Sequence, residues 1–190
     1  MKMKVAFVIV LLAGSAMLAR AQMGVQDLSR YDVLKDPAIS AKPAAKMLVV
    51  EAKGDPAVAS GPAFGLLFKV FFRIPGARMA PPRARWAFGP ETPKDQWVGY
   101  YALPVPDAAT LPPGSEGAKI AVWDYGDVAE ILHAGAYADE TPTIEKLQKF
   151  IADNGYVIAG PHEEEYLRGP ESGPDTAGYR TIIRYQVKKK

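Results

Sequence analysis

The sequence predicts an α+β fold made of tandem βαββ repeats related by a pseudo-twofold. An antiparallel sheet would carry helices on one face and a concave cleft on the other. Three observations carry this expectation. Residues 85–91 (RWAFGPE) are echoed by residues 165–171 (EYLRGPE), and each block follows, by about 35 residues, a glycine (Gly54, Gly135) that closes an apolar strand-like run. The offsets agree, 81 residues between these glycines and 80 between Gly89 and Gly169, as expected for two copies of one supersecondary unit. Finally, each half reads strand, helix, strand, strand, and two such units can pair into one sheet. Ala84 and Glu164 occupy matching places in the two copies.

The chain opens with MKMKVAFVIVLLAGSAMLARA, in which Lys2 and Lys4 precede a short apolar run and Ala19-Arg20-Ala21 forms a small-residue cleavage pattern. This is the layout of a secretory signal peptide over residues 1–21, cleaved after Ala21, and the apolar run is too short for a spanning helix. The mature protein is accordingly expected in the periplasm or secreted, with no stable membrane insertion. Removing Lys2, Lys4 and Arg20 from the 23 basic residues leaves 20 against 21 acidic ones, a net charge of −1. Such a balance gives no footprint for nucleic acid, and Lys188, Lys189 and Lys190 read as a solvated tail. Cysteine is absent, so an exported chain would depend on its core rather than on disulfides.

Residues 22–46 show no strong periodicity and contain Pro37 and Pro43, which predicts a surface lead-in or linker. A single domain is expected over residues 47–188, with halves 47–105 and 118–188. Residues 47–52 (MLVVEA) form the first predicted strand, ended by Gly54-Asp55-Pro56, in which Asp55 is placed to cap a helix and Pro56 to open its first turn. Phe64, Leu67, Phe68, Phe71 and Phe72 then recur at the spacing of one helical face. Residues 83–88 and 96–103 are the next strands, and Pro112-Pro113-Gly114 marks the seam. In the second half, residues 119–125 and 128–133 are expected to form a hairpin across Gly126-Asp127. Thr141-Pro142 predicts a cap and first turn, Ile144, Leu147 and Ile151 an apolar helix face, and Asn154-Gly155 a left-handed stop. Residues 162–168 and 179–187 complete the set.

The segment with most chemical content is His162-Glu163-Glu164-Glu165-Tyr166-Leu167. As a strand, its period of two places His162, Glu164 and Tyr166 on one face and Glu163, Glu165 and Leu167 on the other. A carboxylate among rings in a concavity is desolvated, so its pKa should rise, and it could serve as a general base or meet a cationic ligand. A solvated acidic edge strand is the alternative, and a β-bulge would exchange the faces and bring Glu165 to the cleft instead. The aromatic candidates for the cleft wall are Trp86, Trp97, Tyr100, Tyr101, Trp123 and Tyr137. Alternation sets Trp97 beside Tyr101 with Gly99 leaving room between them. His133 and His162 are the only histidines, with neither the spacing nor the company of a metal site, and no G-x-S-x-G elbow follows the leader.

Residues 160–170 (GPHEEEYLRGP) and 181–187 (TIIRYQV), with the Gly54-Asp55-Pro56 turn and residues 132–137 (LHAGAY), resemble the GyrI-like small-molecule-binding family, and especially its stand-alone members. The resemblance spans residues 47–187. It implies a tandem βαββ domain with an aromatic-lined ligand cleft and a functional carboxylate, Glu164 by motif position, with Tyr166 beside it. Many such proteins bind amphipathic or cationic organic molecules, and some are hydrolases of reactive cyclopropane-containing compounds. Glu163 departs from the common pattern and adds charge beside Glu164. The export signal is unusual beside the family's cytoplasmic regulators, and no DNA-binding module precedes the domain, so transcription-factor and gyrase-inhibitor roles are not carried over.

The expected ligand-binding set is therefore Glu164, Tyr166, Trp86, Trp97, Tyr101, Tyr137 and His133, for a small organic ligand held by a monomer without metal or other cofactor. If the protein is an enzyme, Glu164 and Tyr166 are the catalytic pair. A second resemblance, to the SOUL haem-binding proteins of similar tandem fold, would make His133 an axial haem ligand.

Overall fold

A computed structural model of the chain describes residues 27–87 and 92–190. The predicted leader and its cleavage site lie outside these residues, as does the end of the first repeated block, residues 88–91.

The described residues form eight strands, β1 (Ala38–Lys42), β2 (Ala45–Lys53), β3 (Arg83–Trp86), β4 (Val98–Pro104), β5 (Ala118–Trp123), β6 (Gly126–Ala134), β7 (Tyr156–Arg168) and β8 (Arg180–Lys189). Among the described residues two α-helices accompany them, α1 (Pro56–Phe71) and α2 (Thr141–Asp153). All eight strands join one antiparallel sheet in the order β1-β6-β8-β7-β3-β4-β2-β5. Outward from its centre the sheet reads β3-β4-β2 on one side and β7-β8-β6 on the other, so each half has the expected strand, helix, strand, strand order. At the centre, β3 pairs with β7 and Ala84 lies directly opposite Glu164.

The outer strands differ from expectation. Residues 118–123 and 126–134 are separated by Asp124 and Tyr125 alone, yet they form no hairpin, because β5 pairs with β2 while β6 pairs with β1 and β8. A two-residue link spans only about 10 Å, so the sheet curls until its two sides meet at this crossing. Met47, Val49, Ala102, Trp123, Tyr125 and Val128 fill the curl as one buried cluster drawn from both halves. The lead-in also contributes structure. Residues 38–42 form β1 on the far edge, because the prolines that discouraged regular structure flank this strand rather than interrupt it.

Helix α1 begins as anticipated, with Asp55 accepting a hydrogen bond from the Ala57 N–H at 2.9 Å and Pro56 at its start. Its Leu67, Val70 and Phe71 bury against Leu48, Val50, Tyr101 and Leu103, whereas Phe72, read as part of the buried stripe, is 65% exposed just past the helix end. In α2, Leu147 and Ile151 pack on Ile131, Ile183 and Val187, and Gly155, at φ 77°, makes the left-handed stop. Thr141 proves to be the first helical residue and Glu140 the cap position. Each helix thus covers its own half, and the centre of the sheet lies between them.

Candidate functional site

Strand β7 stays in register with β8 from His162 to Tyr166, with shifts only before and after this stretch, so no bulge exchanges its faces here. His162, Glu164 and Tyr166 consequently share one face with Ala84 and Trp86 of β3. It is the face that bears the helices, since Phe64 of α1 packs edge-on against both Tyr166 (5.9 Å between ring centroids) and Tyr101 (4.9 Å). Glu164, expected in a cleft opposite the helices, lies instead with the helix-facing residues. The curled, helix-free face takes Glu163 and Glu165 instead.

Glu164 is held at both oxygens. Its Oε1 accepts from His162 Nε2 at 2.9 Å, and its Oε2 accepts from the Tyr166 hydroxyl at 2.6 Å. Because a carboxylate only accepts, His162 carries its proton on Nε2, and its Nδ1 is free to accept from the Tyr185 hydroxyl at 2.9 Å. Gln148 of α2 donates to that hydroxyl at 3.4 Å. A one-way relay thus runs from α2 through Tyr185 and His162 to Glu164. Burial pushes the Glu164 carboxyl upward, but the hydrogen bonds from His162, Tyr166 and Glu140 outweigh it and hold the group below its usual range. The elevated carboxyl anticipated for Glu164 belongs to Glu140, which burial and the Glu164 charge push up to about 9. At neutral pH the pair is one carboxylate and one neutral acid. Tyr166 stays protonated, its phenol raised far above the ordinary value by burial and by Glu164.

A layer of rings surrounds this pair. Tyr137 meets Tyr166 edge-on at 5.6 Å, and Trp86 meets Tyr101 edge-on at 5.6 Å. Trp97 stands one layer further out, 5.7 Å from Trp86, with its indole N–H donating to the Thr92 carbonyl at 2.7 Å. The space expected over Gly99 is occupied by Trp86, whose ring would lie 2.6 Å from a Cβ at that position. Tyr100 and Trp123 project to the opposite face, beneath Lys119 and Arg85 respectively.

His133 is committed elsewhere. Its Nδ1 engages Thr143 Oγ1 at 2.9 Å and its Nε2 the Ala136 carbonyl at 3.1 Å, tying the end of β6 to the start of α2. With both nitrogens occupied it offers no axial bond to a haem, and it takes no part in the Glu164 hydrogen bonds. Conversely, the pattern reading missed Phe64, Glu140 and Tyr185. Pro142 pointed to Thr141 as the cap, because proline favours the first helical position, so Glu140 carried no signal of its own. Three buried polar atoms of the described residues have no hydrogen-bond partner on this face: the Tyr101 hydroxyl, Glu140 Oε1 and Thr181 Oγ1. The Tyr101 phenol feels the Glu164 charge, which adds to burial in raising it to about 12.

The opposite face holds a buried ionic cluster. Arg184, 2% exposed, binds Glu130 (2.6 Å), Glu165 (2.8 Å) and Glu163. Arg85 reaches Glu163 at 2.7 Å, Arg83 reaches Glu165 at 3.3 Å, and Lys42 reaches Glu130 at 3.2 Å. Here Glu165 is a structural ion-pair partner, which removes it as the carboxylate of the aromatic site.

No protein-family model and no curated protein matches the sequence. Solved structures do match the fold over most of its length. One is a hydrolase from Listeria innocua, with a TM-score of 0.68 at 19% identity, covering 81% of this chain and 92% of that one. A second hydrolase from the same organism gives 0.70 at 18% identity, covering 86% and 97%. The C-terminal domain of EcmrR gives 0.68 at 16% identity, covering 82% and 98%. At such identities the likeness is one of fold: the chain shares the α+β fold of these structures, which among its described residues is an eight-stranded antiparallel sheet with two α-helices.

Proposed function

We propose that this chain is a stand-alone, exported member of the GyrI-like family, monomeric and periplasmic or secreted, that holds an amphipathic or cationic organic ligand against Glu164. The observation that carries the reading is a carboxylate kept ionised by His162 and Tyr166 inside a layer of aromatic rings. A desolvated anion beside ring faces suits an organic cation, each ring contact contributing about 0.5–2 kcal/mol. Glu164 keeps 13% of its side chain exposed, and Tyr137, 38% exposed, marks the approach.

Titration with tetraphenylphosphonium, followed by tryptophan fluorescence, tests this reading. Saturable quenching that Glu164→Gln weakens at least tenfold is expected; equal binding by both proteins, or no response from either, would refute it.

A hydrolase is the second reading, favoured by the Glu140/Glu164 pair. Two carboxyl groups pushed to opposite protonation states are the arrangement for acid and base roles. Glu164 would activate water against an electrophilic substrate, and Tyr166 would steady the charge that develops. Two of the structural neighbours are hydrolases by name. Consumption of an electrophile by the wild-type protein, lost in Glu164→Gln, is the outcome that would distinguish turnover from binding.

A further inference from the structure

A groove of about 870 Å³ opens on the helix-free face, floored by Val49, Tyr100, Ala121 and Trp123 and walled by residues 158–161, where β7 leaves register with β8. Its size falls within the range of small-molecule sites, roughly 300–1,000 Å³.

The charge around it is one-sided. Of twelve lining residues, Arg85, Lys119 and Lys188 are cationic and none is acidic. The ionic cluster beneath holds four cations, Lys42, Arg83, Arg85 and Arg184, against three carboxylates, Glu130, Glu163 and Glu165, an excess of one positive charge. Lys119 is paired with Glu51 at 3.3 Å, whereas Lys188 is exposed and makes no ion pair among the described residues.

Arg85 is the element that makes a site of this groove. Its Nε donates to Glu163 at 2.7 Å, and its guanidinium lies 4.0 Å from the Trp123 ring centroid and 4.9 Å from that of Tyr125. These contacts fix the plane of the fork while both terminal nitrogens carry no hydrogen bond among the described residues. A preorganised guanidinium with two free parallel donors matches a carboxylate or sulfonate bidentately, at little further cost in side-chain order. The geometry points to a second binding site, on the helix-free face, for an organic anion whose acidic head meets Arg85 and whose flat or acyl body lies along Trp123, Tyr100 and Ala121. Its ligand is opposite in charge to the one proposed at Glu164, and the two sites lie on opposite faces of the sheet.

The probe is 8-anilinonaphthalene-1-sulfonate, read by its fluorescence, with decanoate and decyltrimethylammonium as competitors. The double variant Lys119→Glu/Lys188→Glu changes two exposed side chains, and circular dichroism verifies its fold. Saturable binding is expected, weakened at least tenfold by the double variant and abolished by Ala121→Trp, which fills the floor. Decanoate should displace the probe and decyltrimethylammonium should not, while Glu164→Gln should leave probe affinity within twofold. Loss of probe binding in Glu164→Gln would assign it to the other face and overturn the proposal. So would an affinity indifferent to the charge reversals, equal displacement by the cation, or sedimentation showing a dimer that Lys119→Glu/Lys188→Glu dissociates, which would make the groove a contact between copies.

Discussion

Glu140→Gln is expected to make the protein more stable at alkaline pH and to flatten its pH dependence. Glu140 is 6% exposed and its carboxyl is raised to about 9 in the fold, against about 4.3 in an unfolded chain. Because the folded value is the higher one, the native state keeps a proton that the unfolded state releases. Stability contributed by the neutral acid is therefore full below about pH 4 and declines as pH rises toward the folded value, at about 1.4 kcal/mol per pH unit. Between pH 5 and pH 8 this amounts to about 4 kcal/mol as an upper bound, a large share of a typical 5–15 kcal/mol of stability. Glutamine has the shape of the neutral acid and cannot ionise, so the variant escapes the decline. Glu164, whose folded value is lowered, contributes with the opposite sign and below this window, its stabilisation being lost only as pH falls toward the acid range. Urea unfolding of both proteins at pH 5, 6, 7 and 8, followed by tryptophan fluorescence, measures the difference directly, and groups common to both chains cancel. A stability difference that stays constant across the four pH values would refute the reasoning.

Two further substitutions probe the scaffold. Arg184→Met leaves Glu130, Glu163 and Glu165 facing one another in the curl without their shared counter-ion. Removing one partner of such a cluster costs about 3–5 kcal/mol, and the midpoint of thermal unfolding should fall steeply at pH 7 and less at pH 4; an unchanged midpoint would contradict the account. Gly99→Ala puts a methyl 2.6 Å from Trp86 Cζ3 and 2.9 Å from Tyr101 Cε2. Overpacking of this kind costs about 1–3 kcal/mol, and the displaced rings should alter tryptophan emission; a variant as stable as wild type with the same spectrum would show that the gap is open.

Local pattern carried a good deal of this molecule. The period of two along residues 162–167 correctly sorted His162, Glu164 and Tyr166 from Glu163 and Glu165, because a strand's alternation is a property of its own backbone. Asp55-Pro56 and the Leu67/Phe71 spacing placed α1 for the same reason. The resemblance selected Glu164 and Tyr166, and the structure brings them together at 2.6 Å. Trp86 and Tyr101 join the same ring layer, while His133 and the gap at Gly99 proved to be packing features.

The remaining features depend on pairings between residues far apart in the chain. Nothing in residues 118–134 signals that β5 and β6 part company, since each alone is a sound strand and the hairpin fails only because β2 and β8 supply other partners. That exchange curls the sheet, and the curl turns Glu163 and Glu165 inward to Arg184, 21 and 19 residues away in sequence. By itself, then, the sequence determined which residues form each central strand and helix and which side chains share a face of β7, because these follow from backbone geometry within a few residues. Tertiary structure alone decided which face the helices cover, that Glu140 reaches Glu164, and that Glu164 rather than Glu140 is the ionised partner, because desolvation and charge act through space among elements that the chain brings together only when folded.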